Sequence, residues 1–517
     1  MGVLNPDVAT LLGVPPAMAW PLAASVLAIL LATGYVLYNI FSHRLHRVPG
    51  PVLWAATDVP YVLAWLSGRA QFTIHDLHKR YGDVVRIGPN RLSFTDPDAW
   101  HEIRGHRKNG QGEHGKDLAF YSIAKGNILG ADRADHARFR RILSHGFSAK
   151  SMQDQQPLIT YYVDLLMQRL AERTRDDAGN SRDAVVNLGA WFNFTTFDVI
   201  GDLAFGEPFG CLEDSRYHPW VKTIFDGIGQ IGVYMTVQWY CPWVMDLTKK
   251  LFPRGYIGDK IEQQSQYTRA KLEKRLALGA SRPDFVEAMI TAKSEDGRTM
   301  TKEQLVLHGR VLVLAGSETT ATVLSGTAFM LALNPDAQKK LAEEVRSTFS
   351  SVEEIDLFSV NKLRYMLAVL DESMRMFPPV PSQLPRVCRT GGDVICGYHV
   401  PEGTSLEIWG WAMNYSTNNF TEPEKFIPER WLAGDEYQGV RFDKRRHHAL
   451  QPFSVGPRNC IGKNLAYVEM RLILARLIWD YDFVLADEAS ERMLDSKAFS
   501  LWLKGPLNMR LIPVARG

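Results

Sequence analysis

Cysteine is scarce in this chain. There are five in 517 residues, Cys211, Cys241, Cys388, Cys396 and Cys460, widely scattered and without a CxxC pair. An odd number at such spacing excludes a disulfide framework and a structural zinc site. Four of the five read as small buried hydrophobes. Excess charge of one sign is also missing, with 59 Lys and Arg against 57 Asp and Glu. A formal net charge of +2 gives no clustered basic surface, so nucleic acid is excluded as a partner. Internal repeats and low-complexity tracts are absent. Between Val8 and Ser42 charged side chains are missing altogether.

The densest part of that uncharged stretch runs from Ala17 to Phe41, AMAWPLAASVLAILLATGYVLYNIF. It is long enough to cross a bilayer, which takes about 20 apolar residues. A cleaved signal peptide has a shorter apolar core behind a basic start. Here the charge before the run is Asp7, while Arg44 and Arg47, with His43 and His46, follow it. The positive-inside rule then places the rest of the chain in the cytoplasm. Pro49-Gly50-Pro51 reads as a stiff break. The expected division is a membrane anchor over 1–42, a basic Pro/Gly linker over 43–52 and a catalytic domain over 53–517.

In the body, Asp83 to Thr95 (DVVRIGPNRLSFT) is rich in β-branched residues and broken by Gly88-Pro89-Asn90, which predicts a β-hairpin. Thr301 and Gln304 form a capping-box pair before a long apolar run. Asn334-Pro335 stops that run and opens the next helix. Leu363 to Met376 predicts a helix ended by Phe377-Pro378-Pro379, and strand-like runs sit at Val394–Val400 and near the C-terminus. The fold class is mainly α with small β-sheets (α+β).

The chemistry concentrates at Phe453 to Gly462, FSVGPRNCIG. A thiolate on a metal needs backbone N–H donors around its sulfur, and glycine permits that approach. Gly456 and Gly462 bracket Cys460, and an apolar helical run, Leu465 to Ile478, follows. Cys460 then lies just before a helix N-terminus, where the dipole favours an anion. Arg458 can pair with a carboxylate. On the loop alone, a structural cysteine in a glycine-rich turn and a metal ligand are equally good readings.

The stretch resembles the cytochrome P450 haem-binding signature, Phe-x-x-Gly-x-Arg-x-Cys-x-Gly, matched at every fixed position by Phe453, Gly456, Arg458, Cys460 and Gly462. The resemblance covers nearly the whole chain, anchor included, and the C-terminal half looks like the fungal secondary-metabolism branch. It implies the cytochrome P450 fold preceded by one transmembrane helix. It also implies haem b (iron protoporphyrin IX), with Cys460 as the axial thiolate whose electron donation favours O–O cleavage. Glu372-Ser373-Met374-Arg375 matches the family's Glu-x-x-Arg, which Arg430 of Pro428-Glu429-Arg430-Trp431 joins as a structural clamp. Ala315-Gly316-Ser317-Glu318-Thr319-Thr320 matches the segment over the distal haem face. There an acid and a hydroxyl, here Glu318 and Thr319, handle the protons of oxygen cleavage. Read by itself, this segment offers hydroxyls that bond back to preceding helix carbonyls. His136 stands where many members carry Trp, four residues before Arg140. By the same resemblance His136, Arg140, Arg386 and Arg458 hold the haem propionates.

The function so implied is insertion of one oxygen atom of O2 into a lipophilic small molecule, by hydroxylation or epoxidation, in fungal secondary-metabolite biosynthesis. No flavin-binding extension follows the haem domain, so NADPH electrons come through a separate cytochrome reductase. Its docking is expected on the proximal face near Arg138, Arg141 and Lys463. The expected setting is the endoplasmic reticulum membrane, single-pass, with the catalytic domain cytoplasmic. By analogy the substrate contacts Gly105–Gly130, Phe205–Trp243, Val380–Leu384 and Phe499–Trp502. In the second segment Phe209, Trp220, Phe225, Tyr234, Trp239 and Trp243 are either pocket wall or ordinary core. An oxygen-independent isomerase or dehydratase on the same fold, and a non-enzymatic haem-thiolate sensor, are the alternatives. The intact Glu318-Thr319 pair speaks against both.

Overall fold

The computed structural model describes all residues except 1–15, 108–111, 177, 252–255, 278, 280–283, 293–296, 298, 433, 435 and 516–517. Asp7 and the start of the uncharged stretch at Val8 therefore lie outside the described residues. The chain begins with α1 (Pro16–Leu37), which runs into one π-helical turn, Tyr38–Ser42. Short helices α2 (Val52–Ala56) and α3 (Val59–Leu66) lead to α4 (Ala70–Tyr81) and to strands β1 (Val84–Gly88) and β2 (Arg91–Phe94). Then come α5 (Ala99–Arg104), β3 (Gly115–Lys116), α6 (Arg133–Ser144), α7 (Ala149–Arg173), β4 (Ala184–Asn187) and α8 (Leu188–Phe205). A run of helices follows: α9 (Cys211–Asp214), α10 (Pro219–Tyr240), α11 (Pro242–Leu251), α12 (Tyr256–Ala277) and α13 (Phe285–Thr291). The long α14 (Lys302–Leu333), α15 (Pro335–Thr348) and α16 (Arg364–Met376) complete the helical half. Beyond them lie β5 (Arg386–Val387), β6 (Asp393–Ile395), β7 (Tyr398–Val400), β8 (Ser405–Glu407) and α17 (Gly410–Asn414). The last part holds β9 (Glu436–Tyr437), β10 (Val440–Arg441), α18 (Lys463–Asp480), β11 (Tyr481–Leu485) and α19 (Glu488–Glu491). It ends with β12 (Lys497–Phe499), β13 (Leu501–Leu503) and β14 (Asn508–Pro513).

Local rules explain the long central helix. Thr301 Oγ1 accepts from Gln304 N at 3.3 Å and Gln304 Oε1 accepts from Thr301 N at 3.1 Å, so α14 starts on a formed capping box. Asn334 closes it and Pro335 opens α15. From Thr320 to Leu331 every residue of α14 is buried, because α8, α16 and α18 pack around it. The expected hairpin forms as β1 and β2, antiparallel, with Arg86 Nη2 donating to the Pro89 carbonyl at 2.7 Å across the turn. Its sheet runs in the order β1-β2-β8-β5-β3, with β2 and β8 parallel. A second sheet places β14 between β11 and β4.

α1 is long and apolar enough to cross a membrane, and its apolar surface is exposed. The segment after it does not hang free. Leu45 is fully buried and Asn39 nearly so. Asn39 Nδ2 donates to Ala56 O at 3.0 Å, and Arg86 Nη1 donates to Asn39 O at 2.9 Å. Arg86 N donates to Pro49 O at 2.8 Å, and a Cβ on Gly50 would overlap the Arg86 carbonyl. The Pro-Gly-Pro run is thus seated on β1.

A buried carboxylate ties the C-terminal half together. Glu372 of α16 accepts from Arg375 Nη2 at 2.8 Å, Arg375 Nε at 2.9 Å and Arg430 Nε at 3.0 Å. It also accepts from Ile427 N at 3.0 Å and Trp431 Nε1 at 2.9 Å. All three charged side chains are fully buried. Arg375 reaches on to the carbonyls of Asn414 (3.1 Å), Pro423 (2.7 Å) and Lys425 (3.1 Å). Burial by itself would raise the Glu372 carboxyl; the Arg375 and Arg430 charges overcome that and hold it below the usual range. Removing one member of such a buried set costs about 3–5 kcal/mol. Glu372→Gln should therefore lower the urea midpoint of the protein markedly. A midpoint equal to that of the parent would show that these contacts contribute nothing to holding the segment around Pro423 on α16.

Candidate active site

Cys460 sits in the loop that leads into α18. Its N–H donates to Phe453 O at 2.8 Å, and Asn459 N donates to Gly456 O at 3.1 Å, so the loop closes on itself under the sulfur. Gly456 has φ +77°, and a Cβ there would overlap the carbonyl of Arg104. At Gly462 an added Cβ would stand 4.0 Å from Cys460 Sγ. Of the cysteines, Cys460 is the exposed one, although protein surrounds it on most sides, so its sulfur opens into an internal cleft. Burial pushes the free thiol up; the Gly462 N–H and the charges of Arg140 and Lys463 oppose this.

Cations gather beside this loop. Arg458 pairs with Glu113 at 2.6 Å and donates to Ala131 O at 2.8 Å. His136 is buried on α6; burial first, then the charges of Arg458, Lys116 and Arg140, pushes its imidazole down to about 4. Arg140 reaches both the Asn459 carbonyl and, at 2.5 Å, Asn459 Oδ1. Arg386 lies on β5 opposite Lys116 on β3, and burial lowers its guanidinium. Thus His136, Arg140, Arg386 and Arg458, named from the sequence, are brought together. Two more cations join them. Arg104 donates to Ser454 Oγ at 3.2 Å and to Leu384 O at 2.9 Å. Lys116 lies with its ammonium 4.0 Å from the Tyr121 ring centroid. No local pattern marks either one, since the β3–β5 pairing and the Gly456 turn bring them in. Among the described residues the carboxylate paired within this group is Glu113. Five buried or half-buried Arg and Lys side chains around one carboxylate fit a prosthetic group that carries two more. The Cys460 cradle fits a metal held by sulfur.

The acid and hydroxyl of α14 part company. Ala315 is exposed and Thr319 half-buried just before the stretch of α14 that is buried throughout, and the two share a face. Thr319 Oγ1 donates to Ala315 O at 2.6 Å, which leaves its lone pairs free to accept. Glu318 points elsewhere. It is 1% exposed and pairs through Oε1 with Lys504 Nζ at 2.6 Å, while Oε2 has no hydrogen-bond partner.

Other expectations divide. Phe209 and Trp220 are core: their rings stack 5.0 Å apart, and Trp220 stacks on Tyr267 at 5.7 Å. Phe225 packs on Phe197 at 5.7 Å. Trp239 packs with Trp65 (5.8 Å) and Phe120 (5.6 Å), while Trp243 is 65% exposed. Arg138 was expected free for docking. It is half-buried and held by Asp135 at 3.1 Å and Gln304 at 3.5 Å, because α6 turns that side toward the start of α14. Arg141 and Lys463 are exposed.

Comparison with known proteins agrees with this geometry. The model of the family described as Cytochrome P450 matches residues 49–511. The chain is 44% identical over 499 residues to a trichothecene C-15 hydroxylase of Fusarium sporotrichioides, covering 96% of this chain and 99% of the relative. It is 41% identical over 482 residues to an averantin hydroxylase of Dothistroma septosporum, covering 92% and 88%. It is 40% identical over 481 residues to the cytochrome P450 monooxygenase astJ of Aspergillus oryzae, covering 92% and 94%.

The cation cluster predicts a measurable proton exchange. Burial, then the charges of Arg386, Arg458 and Arg104, pushes the Lys116 ammonium down to about 6, so at pH 7 it is mostly neutral. Two carboxylates placed among these cations favour its charged form and raise it. Loading haem into the apoprotein at pH 7 should therefore release less than the one proton that the Cys460 thiol gives up on becoming a ligand. Calorimetry in buffers of different ionisation enthalpy measures the net exchange. Release should grow in Lys116→Met; an unchanged exchange in that variant would rule Lys116 out as a proton acceptor.

Proposed function

The chain belongs to the cytochrome P450 family, and on that premise we propose that it oxygenates a lipophilic small molecule of fungal secondary metabolism with electrons passed from NADPH by a separate flavin reductase. As a member it is an oxidoreductase of the monooxygenase class, and its cofactor is haem. The observation that carries the reading is the convergence of Cys460, Arg140, His136, Arg458 and Arg386 on one cleft.

Haem, when bound, supplies the activation of oxygen. The chain's own residues do the rest. Cys460 provides the thiolate ligand, in a loop that Gly456 and Gly462 keep close to the sulfur. Arg458, Arg386, Arg140, His136 and the added Arg104 and Lys116 would hold the propionates, with Glu113 the carboxylate already paired among them. Thr319 presents a hydroxyl on the open face of α14, where it orients water. Glu318, one residue away and ion-paired with Lys504, is the carboxylate that relays protons toward that face. Glu372, Arg375 and Arg430 act structurally.

Trichothecenes and averantin, the compounds named in two relatives, are the first probes. With reductase and NADPH, the test is oxygenated product from either. Cys460→Ser should abolish both that product and the red-shifted Soret band of the reduced CO complex. A Ser variant that kept the band would remove the basis of this assignment.

The proposed setting is the endoplasmic reticulum membrane, with the body on the cytoplasmic side. α1 supports it, and so does a second apolar surface. Val52 and Leu53 on α2, Val59 and Leu63 on α3, and Trp243 and Leu247 on α11 are all exposed. α2 contacts both the π-helical turn after α1 and α3, so the part of this surface on α2 and α3 continues from the anchor, and α10 joins α3 to α11. An exposed apolar patch of this kind marks an interface, and Trp favours the membrane boundary. Deletion through Leu37, which spares Asn39 and Leu45, should leave a protein that still binds vesicles but is released by carbonate. Adding Leu53→Glu and Trp243→Glu should make it soluble. A truncated protein soluble without those changes would refute the second contact.

A further inference from the structure

A buried ion pair joins the proton-handling segment of α14 to the C-terminal hairpin. Lys504 directly follows β13, and its side chain is 10% exposed. Its ammonium lies 2.6 Å from Glu318 Oε1 and 2.5 Å from Thr322 Oγ1. Thr322 Oγ1 in turn donates to Glu318 Oε1 at 3.3 Å. Two polar groups, themselves hydrogen-bonded to each other, thus converge on one carboxylate oxygen, while Oε2, equally buried, receives nothing. Among the described residues Tyr217, before α10, also lies against Glu318, and it accepts from Asn193 Nδ2 at 3.3 Å. Burial first, with Glu318 adding to it, pushes that phenol up to about 12, so it stays neutral.

A buried pair of this kind is a poor device for stability, since an apolar pair of similar volume is often as stable or more so. Its placement suggests another use. β12 and β13 form a hairpin with Ser500 at the tip, φ +70°. Ser382 Oγ donates to Ser500 O at 3.2 Å, and Trp502 Nε1 donates to Pro378 O at 2.7 Å. A Cβ on Gly232 of α10 would overlap the Phe499 ring. The hairpin therefore touches α10 and the Val380–Leu384 segment, both candidate substrate walls, and Lys504 is its next residue but one after Trp502.

We propose that Lys504 is a positioning residue for proton delivery: it fixes the Glu318 carboxylate through Oε1, leaves Oε2 to take and pass the proton, and couples that carboxylate to the substrate-side hairpin. This rests on Glu318 as the proton-passing group. In each transfer one proton enters at Oε2 from water and leaves from Oε2 toward the Thr319 face. Lys504 keeps its own proton throughout, and no other bond changes.

The test uses the full-length haem-loaded protein with reductase and NADPH, reading O2 consumption against pH and in D2O. Haem incorporation, read from the reduced-CO spectrum, is the control for folding. Lys504→Gln should slow consumption about tenfold or more and enlarge the solvent isotope effect. It should also move the pH profile upward, because a buried carboxyl without its cation takes up a proton more readily. Lys504→Arg should restore both. In a Glu318→Gln background, Lys504→Gln should add nothing. Infrared difference spectra of the apoprotein give a readout independent of turnover: a protonated-carboxyl band should appear in Lys504→Gln and vanish in the double variant. Should Lys504→Gln fail to load haem, Lys504→Met, which fills the same volume without charge, carries the same expectations in the infrared arm. A normal rate and isotope effect in Glu318→Gln would overturn the role of Glu318 itself. A slowed Glu318→Gln together with an unmoved pH profile and no new carboxyl band in the Lys504 variants, or additive losses in the double variant, would overturn the role of Lys504 alone.

Discussion

Five hydrogen bonds to one buried carboxylate hold this molecule's C-terminal half in register. Glu372 has no water to fall back on, so each donor it lacks would leave a charge in the core. That requirement brings Arg375, Arg430, Trp431 and the Ile427 N–H to one point. The carbonyls of Asn414, Pro423 and Lys425, taken by Arg375, draw in a stretch that has little regular structure of its own. The Cys460 loop follows that stretch in the chain. Irregular backbone must satisfy its polar groups somewhere, and here two guanidiniums do most of it.

The site repeats the logic with the sign reversed. Around Glu372 the charges are complete. Around Arg458, Arg386, Arg104 and Lys116 positive charge exceeds what Glu113 provides, and Lys116 registers the excess. A protein that leaves one cluster closed and another open separates framework from binding site by electrostatics alone.

What the sequence made legible was local. The hairpin at Gly88-Pro89-Asn90, the Thr301–Gln304 cap and the stop at Asn334-Pro335 each depend on residues within one turn of each other. At the Cys460 loop the glycines and the helix start were legible in the same way, but a structural cysteine and a metal ligand stayed equally good until the family resemblance chose between them. Arg104 and Lys116 were not, because a strand pairing and a glycine contact put them there. Lys504 reached Glu318 only through the course of the C-terminal hairpin. Phe209 and Trp220 carry the composition of a pocket wall and the packing of a core, a distinction that only neighbours decide. Arg138 is not a free charge, because Asp135, one turn back on its own helix, and Gln304, at the start of α14, both lie within reach.

The seat between α1 and the body carries one more consequence. With Asn39 bonded to Ala56 and Arg86, and Leu45 fully buried, the span and the body form a single lever rather than a bead on a string. In the proposed membrane setting such a lever turns about the membrane normal but has little freedom to roll. The height and pitch of the body are then set by the seat, and azimuth alone is left free.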